Sequence, residues 1–273
     1  MTSPPPVPVV LIHGLWLHAS SWHDWAERLD SLGYAPTTPG WPGESATATG
    51  CRDNPEPIAN RGVGEVTQHF ADLISSLPSP PIVIGHSVGG LVAERLLGMG
   101  LVRGAVGIAP VQFRGVRRLP LVQLRTALPF LSHPGNRDKA VSQSADSFFH
   151  GFANGVCRTE SDALWEAYAI PAPALPLFEV SSANVSVHTD ATVDTHRERG
   201  PLLLVAGGAD RTVPEATVRS AFNRYRHNPS ITRFKVFAGR SHSQPVDSGW
   251  REVADYTLDF LEQHGLGPEA DST

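Results

Sequence analysis

The chain has 273 residues, 41% of them hydrophobic and 18% charged, with a formal net charge of −5. That length is ample for a large buried core, and the composition is too apolar for a disordered segment. The mildly acidic balance argues against nucleic acid or membrane as the main partner, and no apolar run approaches the ~20 residues that span a bilayer.

Met1 to Pro8 carries no basic stretch followed by an apolar one, so no secretory leader is expected and a cytoplasmic location is. Cys51 and Cys157 are far apart and lack metal-ligand spacing, which reads as two separate reduced thiols. Val7 to Ile12 is a continuous apolar run, the pattern of a strand buried on both faces. Ser20 or Ser21 is expected to cap a helix carrying Trp22, Trp25, Leu29 and Leu32, closed by Gly33. Tyr34 to Thr38 reads as a weaker strand. Val66, Phe70, Leu73, Ile74 and Leu77 recur at spacings of three and four and mark an amphipathic helix.

Pro81 to Ile84 is the next expected strand, followed by a helix over Val88 to Met99 and a strand over Ala105 to Ala109. Gln112 to Arg199 then lacks a clear strand–helix unit and is too long for an ordinary loop. Short helical patterns near Asp138 to Phe149 and Ser161 to Ile170 make it an expected helical cap, residues 112–199, inserted into a core of residues 1–111 and 200–273. Strands over Leu202 to Ala206 and Thr232 to Phe237 follow, with helices over Glu215 to Tyr225 and Trp250 to His264. Strands alternating with helices predict an α/β fold: a doubly wound, mainly parallel sheet covered on both faces.

Gly85-His86-Ser87-Val88-Gly89-Gly90 lies directly between an expected strand and an expected helix. That context is what a G-x-S-x-G nucleophile elbow requires, with the serine held strained and exposed above the sheet. A serine hydroxyl needs a base, and the base needs a group that fixes its tautomer. Asp210 and His242 each follow a later strand, where loops of an open α/β sheet form the active crevice. Asp190, Asp194 and Asp247 compete for the acid role; Asp210 is preferred because its Gly-Gly-Ala-Asp turn directly follows the strongest buried strand of the second half. Gly85 to Gly90 lacks a P-loop lysine and is no dinucleotide motif, and no histidine pair has helical zinc spacing, so neither cofactor nor metal is expected.

The order Ser87, Asp210, His242 resembles the α/β-hydrolase superfamily over nearly the whole chain. A further match is Ile12-His13-Gly14-Leu15-Trp16. The resemblance implies that the Leu15 N–H, with that of Val88, forms the oxyanion hole and that His13 holds the loop. Pro39-Gly40-Trp41-Pro42-Gly43-Glu44-Ser45 is similar to the family's loop after its next strand, with Thr37 and Thr38 where an acidic residue is usual. Only Met1 to Pro6 precede the first strand, so the hairpin that opens many members is not expected, and six strands in the order 2-1-3-4-5-6 are.

The implied activity is hydrolysis of a carboxylic ester or lactone through an acyl-enzyme, with a small-molecule acyl substrate as partner. Thioester cleavage, a lyase or cyclase step and cofactor-free haloperoxidase chemistry use the same apparatus, and a non-catalytic ligand-binding member is a further alternative. Oligomeric state is not read from the sequence. Trp16, beside the oxyanion loop, is expected to line the substrate pocket, and His18 or His23 could. Trp41 and Trp165 are expected in the core and His86 turned away into packing. Within the cap, Phe148, Phe149 and Trp165 are expected to influence substrate choice.

Overall fold

In the computed structural model, which describes residues 6–118 and 120–268, β1 (Val7–Ile12) is flanked by β2 (Tyr34–Thr37) and β3 (Ile82–His86). The expectations for Met1 to Pro5 and for the end of the polar tail, from Glu269, lie outside the described residues. The sheet continues through β4 (Gly104–Ile108), β7 (Leu202–Gly207) and β8 (Thr232–Phe237), every pairing parallel. The spatial order β2-β1-β3-β4-β7-β8 is 2-1-3-4-5-6 when the strands of this sheet are counted along the chain.

Side chains alternate across each strand, and the core divides accordingly. Val9 and Leu11 of β1, with Leu203 and Val205 of β7, meet Trp22, Trp25, Val253 and Leu261 on one face. Val10, Ile12, Leu202 and Leu204 meet Val66, Phe70, Leu91 and Val218 on the other. Each fully buried aliphatic side chain contributes about 1.5–3 kcal/mol by leaving water. The covering helices are α1 (His23–Asp30) and α10 (Trp250–Gln263) on the first face and α3 (Val63–Ser75), α4 (Val88–Met99) and α9 (Glu215–Phe222) on the second. β8 is one of the two edge strands and alternates Arg233 and Lys235 with Phe234 and Val236, which blunts that edge with charge.

Two sequence expectations about helices are corrected. Ser20 and Ser21 do not cap α1: a 3₁₀ turn over Ala19–Trp22 intervenes. The cap of that turn is the His18 side chain, whose Nδ1 accepts the Ser20 N–H. Asp138 to Phe149 is not one helix either. Ala140–Val141 forms β5, antiparallel to β6 (Ala172–Pro173), and Ser144 starts a new turn by accepting the Ser147 N–H. That turn, α6 (Ala145–Ser147), continues as a π-helical turn over Phe148–Phe152.

Between β4 and β7 the chain also forms α5 (Leu121–Leu131), α7 (Arg158–Tyr168) and α8 (Leu175–Ser182); a short α2 (Ala48–Asp53) follows β2. The segment is stitched to the loop after β1: His18 N–H donates to Tyr168 O at 2.9 Å and Ile170 N–H to Trp16 O at 3.0 Å. Phe113, Val116, Ala183 and Ala191, near its two ends, are buried in the sheet's own core. Among the described residues no helix is long and apolar enough to cross a membrane.

Candidate active site

Strand register assembles the site. Ile12 pairs with Gly85, so His13, Gly14 and Leu15 leave β1 beside the turn that leaves β3. That turn is very close-packed: a Cβ on Gly85 would lie 2.1 Å from Gly89 O, and one on Gly14 would lie 2.7 Å from Ser87 Cβ. Ser87 has φ 56° and ψ −118°, a strained conformation for a residue with a side chain. It sits at the N-cap of α4, where unpaired N–H groups and the positive end of the helix dipole gather.

β7 and β8 end in step, with Gly207 opposite Phe237. Their loops are tied together where Gly208 N–H donates to Phe237 O at 2.9 Å and Ala209 N–H to Arg240 O at 3.0 Å. The result is a hydrogen bond of 2.7 Å from His242 Nδ1 to Asp210 Oδ2, both residues buried. Asp210 Oδ1 is held separately by the N–H groups of Thr212 (2.8 Å) and Val213 (2.7 Å). The loop carrying His242 has a second buried anchor. Ser243 Oγ donates to Asp247 Oδ2 at 2.7 Å, and Asp247 Oδ1 accepts the Gly249 N–H at 3.0 Å. Asp247 therefore holds the backbone around His242, while Asp190 and Asp194 are exposed.

His86 is fully buried, as packing requires, but its ring lies against His242, with centroids 4.5 Å apart. Burial, and then the neighbouring His242, hold its pKa well below the ordinary histidine value.

Glu44 was visible in the sequence only as part of a loop; the structure gives it a partner. Its Oε2 lies 2.8 Å from His13 Nε2, and His13 Nδ1 donates to Gly14 O at 2.9 Å. Burial opposes charge on both groups. Even so, the His13 charge and hydrogen bond, with the Ala19 and Trp41 N–H groups, bring Glu44 down to about 2. The Glu44 carboxylate and the Gly14 carbonyl correspondingly raise His13. The carboxylate beside Nε2 and the carbonyl at Nδ1 favour the protonated form of His13. Trp41 stacks on it at 5.6 Å and donates Nε1–H to His13 O at 3.2 Å. The loop after β1 thus stands on a buried ion pair.

Ser87 opens into a cavity of about 100 Å³ whose walls include Leu15, Trp16, Val88, Leu124, Gln143 and Val213. Trp16 (φ 64°) packs on Phe130 at 4.7 Å and donates Nε1–H to Val141 O at 3.1 Å. The cap aromatics named from the sequence sit away from this cavity. Phe148 and Trp165 pack with Leu17 and Phe152, Phe149 lies under Arg158, and none of them lines this cavity. Its inserted walls come instead from α5, α8 and the segment just after β5, including Gln123 and Gln143, which no sequence motif marked. His18 donates Nε2–H to Ser45 O at 3.1 Å, and exposed His23 pairs with Glu27; neither reaches the cavity.

Residues 9–265 match the alpha/beta hydrolase family, and the chain belongs to it. Among solved structures it is similar to an extracellular α/β-hydrolase from a Paenibacillus species, at 21% identity and TM-score 0.70, covering 93% of this chain and 98% of that one. A methylesterase from Arabidopsis is similar at 15% identity and TM-score 0.67, covering 94% and 99%. A monoacylglycerol lipase from Paleococcus ferrophilus is similar at 20% identity and TM-score 0.63, covering 97% of each chain. No curated protein sequence matches the chain.

Proposed function

We propose that the protein hydrolyses a carboxylic ester through an acyl-enzyme on Ser87. The observation that carries this reading is the buried His242–Asp210 hydrogen bond at the same sheet edge as a strained serine. Ser87 Oγ attacks the acyl carbon while His242 Nε2 takes its proton. Asp210 keeps the Nδ1–H tautomer and stabilises the imidazolium. The N–H groups of Leu15 and Val88, both at the cavity, hold the oxyanion. His242 then returns the proton to the departing alcohol, and water, activated by the same imidazole, releases the acid. No cofactor or metal takes part in these steps. Residues 112–199 act as a cap, because α5, α8 and the segment just after β5 wall the cavity. Two structural neighbours, a methylesterase and a monoacylglycerol lipase, support an ester as substrate.

The test is turnover of short-chain nitrophenyl esters by the wild type and Ser87→Ala. The wild type should hydrolyse at least one, and the variant should lose kcat by roughly a million-fold. A folded Ser87→Ala protein that keeps its rate would refute the assignment.

A further inference from the structure

We infer that one turn of the inserted segment, His150 to Asn154, braces Asp210 and His242 against each other, with Phe152 and Asn154 as positioning residues. The reaction they serve rests on the function proposed above; the brace itself does not. At their roots the two loops are tied through Gly208 and Ala209. Further out, residues on both sides of Asp210, and the residue after His242, bond to the inserted turn. Asn154 Nδ2 donates to Ala209 O at 2.8 Å, Arg211 Nη1 to His150 O at 3.3 Å and Thr212 Oγ1 to Gly151 O at 2.9 Å. The Ser243 N–H donates to Phe152 O at 3.0 Å.

The backbone explains how one turn can hold both loops. The π-helical turn over Phe148–Phe152 is closed by the Ala153 N–H on Phe148 O at 2.8 Å. Carbonyls at a helix C-terminus have no partner within the helix, and here those of His150, Gly151 and Phe152 accept from the Asp210 and His242 loops instead. Short π-helical turns are frequent at functional sites. Side chains add a second restraint. Phe152 is 1% exposed, stacks on Phe148 at 4.5 Å and stands edge-on to His242 at 5.0 Å, so it walls the imidazole on that side. Asn154 supplies a side-chain bond to the Asp210 loop. Only its NH₂ group can donate to a carbonyl, which fixes how the amide sits.

The experiment replaces Asn154 by Ala and by Leu, which remove the donor without and with side-chain bulk at a part-buried site, and Phe152 by Leu. With a nitrophenyl ester that the wild type hydrolyses, kcat should fall roughly tenfold to a hundredfold while KM stays within about twofold, because a misplacement of about 1 Å is enough to cost a hundredfold. In an Asp210→Asn background the Asn154 replacements should cost less than about threefold, because their effect runs through that carboxylate. The His242 Nδ1–H proton is read by NMR in the folded proteins and identified by its absence from His242→Gln. It should shift or broaden in each variant. This signal needs no turnover, so an inactive wild type whose proton responds in this way would sink the esterase reading and keep the brace. An unchanged kcat in the folded variants, a loss confined to KM, a loss that persists in full beside Asp210→Asn, or an unaltered His242 proton would overturn it.

Discussion

The imidazole of His86 rests against that of His242 with ring centroids 4.5 Å apart, and Phe152 meets both rings edge-on. Two adjoining buried imidazoles cannot both carry charge cheaply, and it is His86 that stays neutral. The acid limb of kcat/KM should therefore follow one ionisation, that of the base. In His86→Phe the limb should keep that single step, because no titrating group has been removed. Initial rates from about pH 5 to pH 9 decide this. A second step in the wild type that vanishes in His86→Phe would show that His86 titrates with its neighbour.

Asp210→Asn should lower kcat by roughly ten-thousand-fold, the loss seen when this substitution forces the wrong histidine tautomer in a serine protease. The structure dictates how the asparagine would sit. The Thr212 and Val213 N–H groups require an oxygen at the Oδ1 position, so the new NH₂ group must face His242 Nδ1. The ring would then have to accept at Nδ1 and carry its proton at Nε2, where it cannot take one from Ser87. Steady-state kinetics on a folded Asp210→Asn protein give the answer; a loss of less than about tenfold would contradict the assigned role.

Glu44→Gln should destabilise the fold by about 3 kcal/mol, because it leaves the buried His13 without its counter-ion. The Glu44 pKa is lowered from 4.5 to about 2, so its contribution is complete above pH 4.5 and is lost as pH falls toward 2. The His13 pKa is raised from 6.5, so its contribution is complete below pH 6.5 and is lost as pH rises through the raised value. The deficit of the variant should be greatest between those limits and shrink in alkali. Thermal unfolding of both proteins across this range measures it, and a deficit independent of pH would contradict a charged pair.

The sheet was legible because its strands are nearly continuous runs of buried residues, as at Val7–Ile12 and Leu202–Gly207. The elbow was legible because glycines at 85 and 89 have no substitute where backbone atoms come this close. The inserted segment hides its logic. α5 turns Leu121 and Leu128 outward and buries Gln123 and Phe130, so its apolar pattern does not point to the core, and Pro129 lies inside it. Glu44 and Gln143 gain their settings from contacts 31 and 22 residues away, with His13 and Trp165, which no local spacing encodes.

Covalent capture of Ser87 tests the central claim most directly. A fluorophosphonate incubated with the folded protein should add one adduct, located on the peptide carrying Ser87 by mass spectrometry, and prior Asp210→Asn substitution should slow its formation sharply. Labelling of another serine, or an unlabelled protein that still hydrolyses esters, would contradict the account.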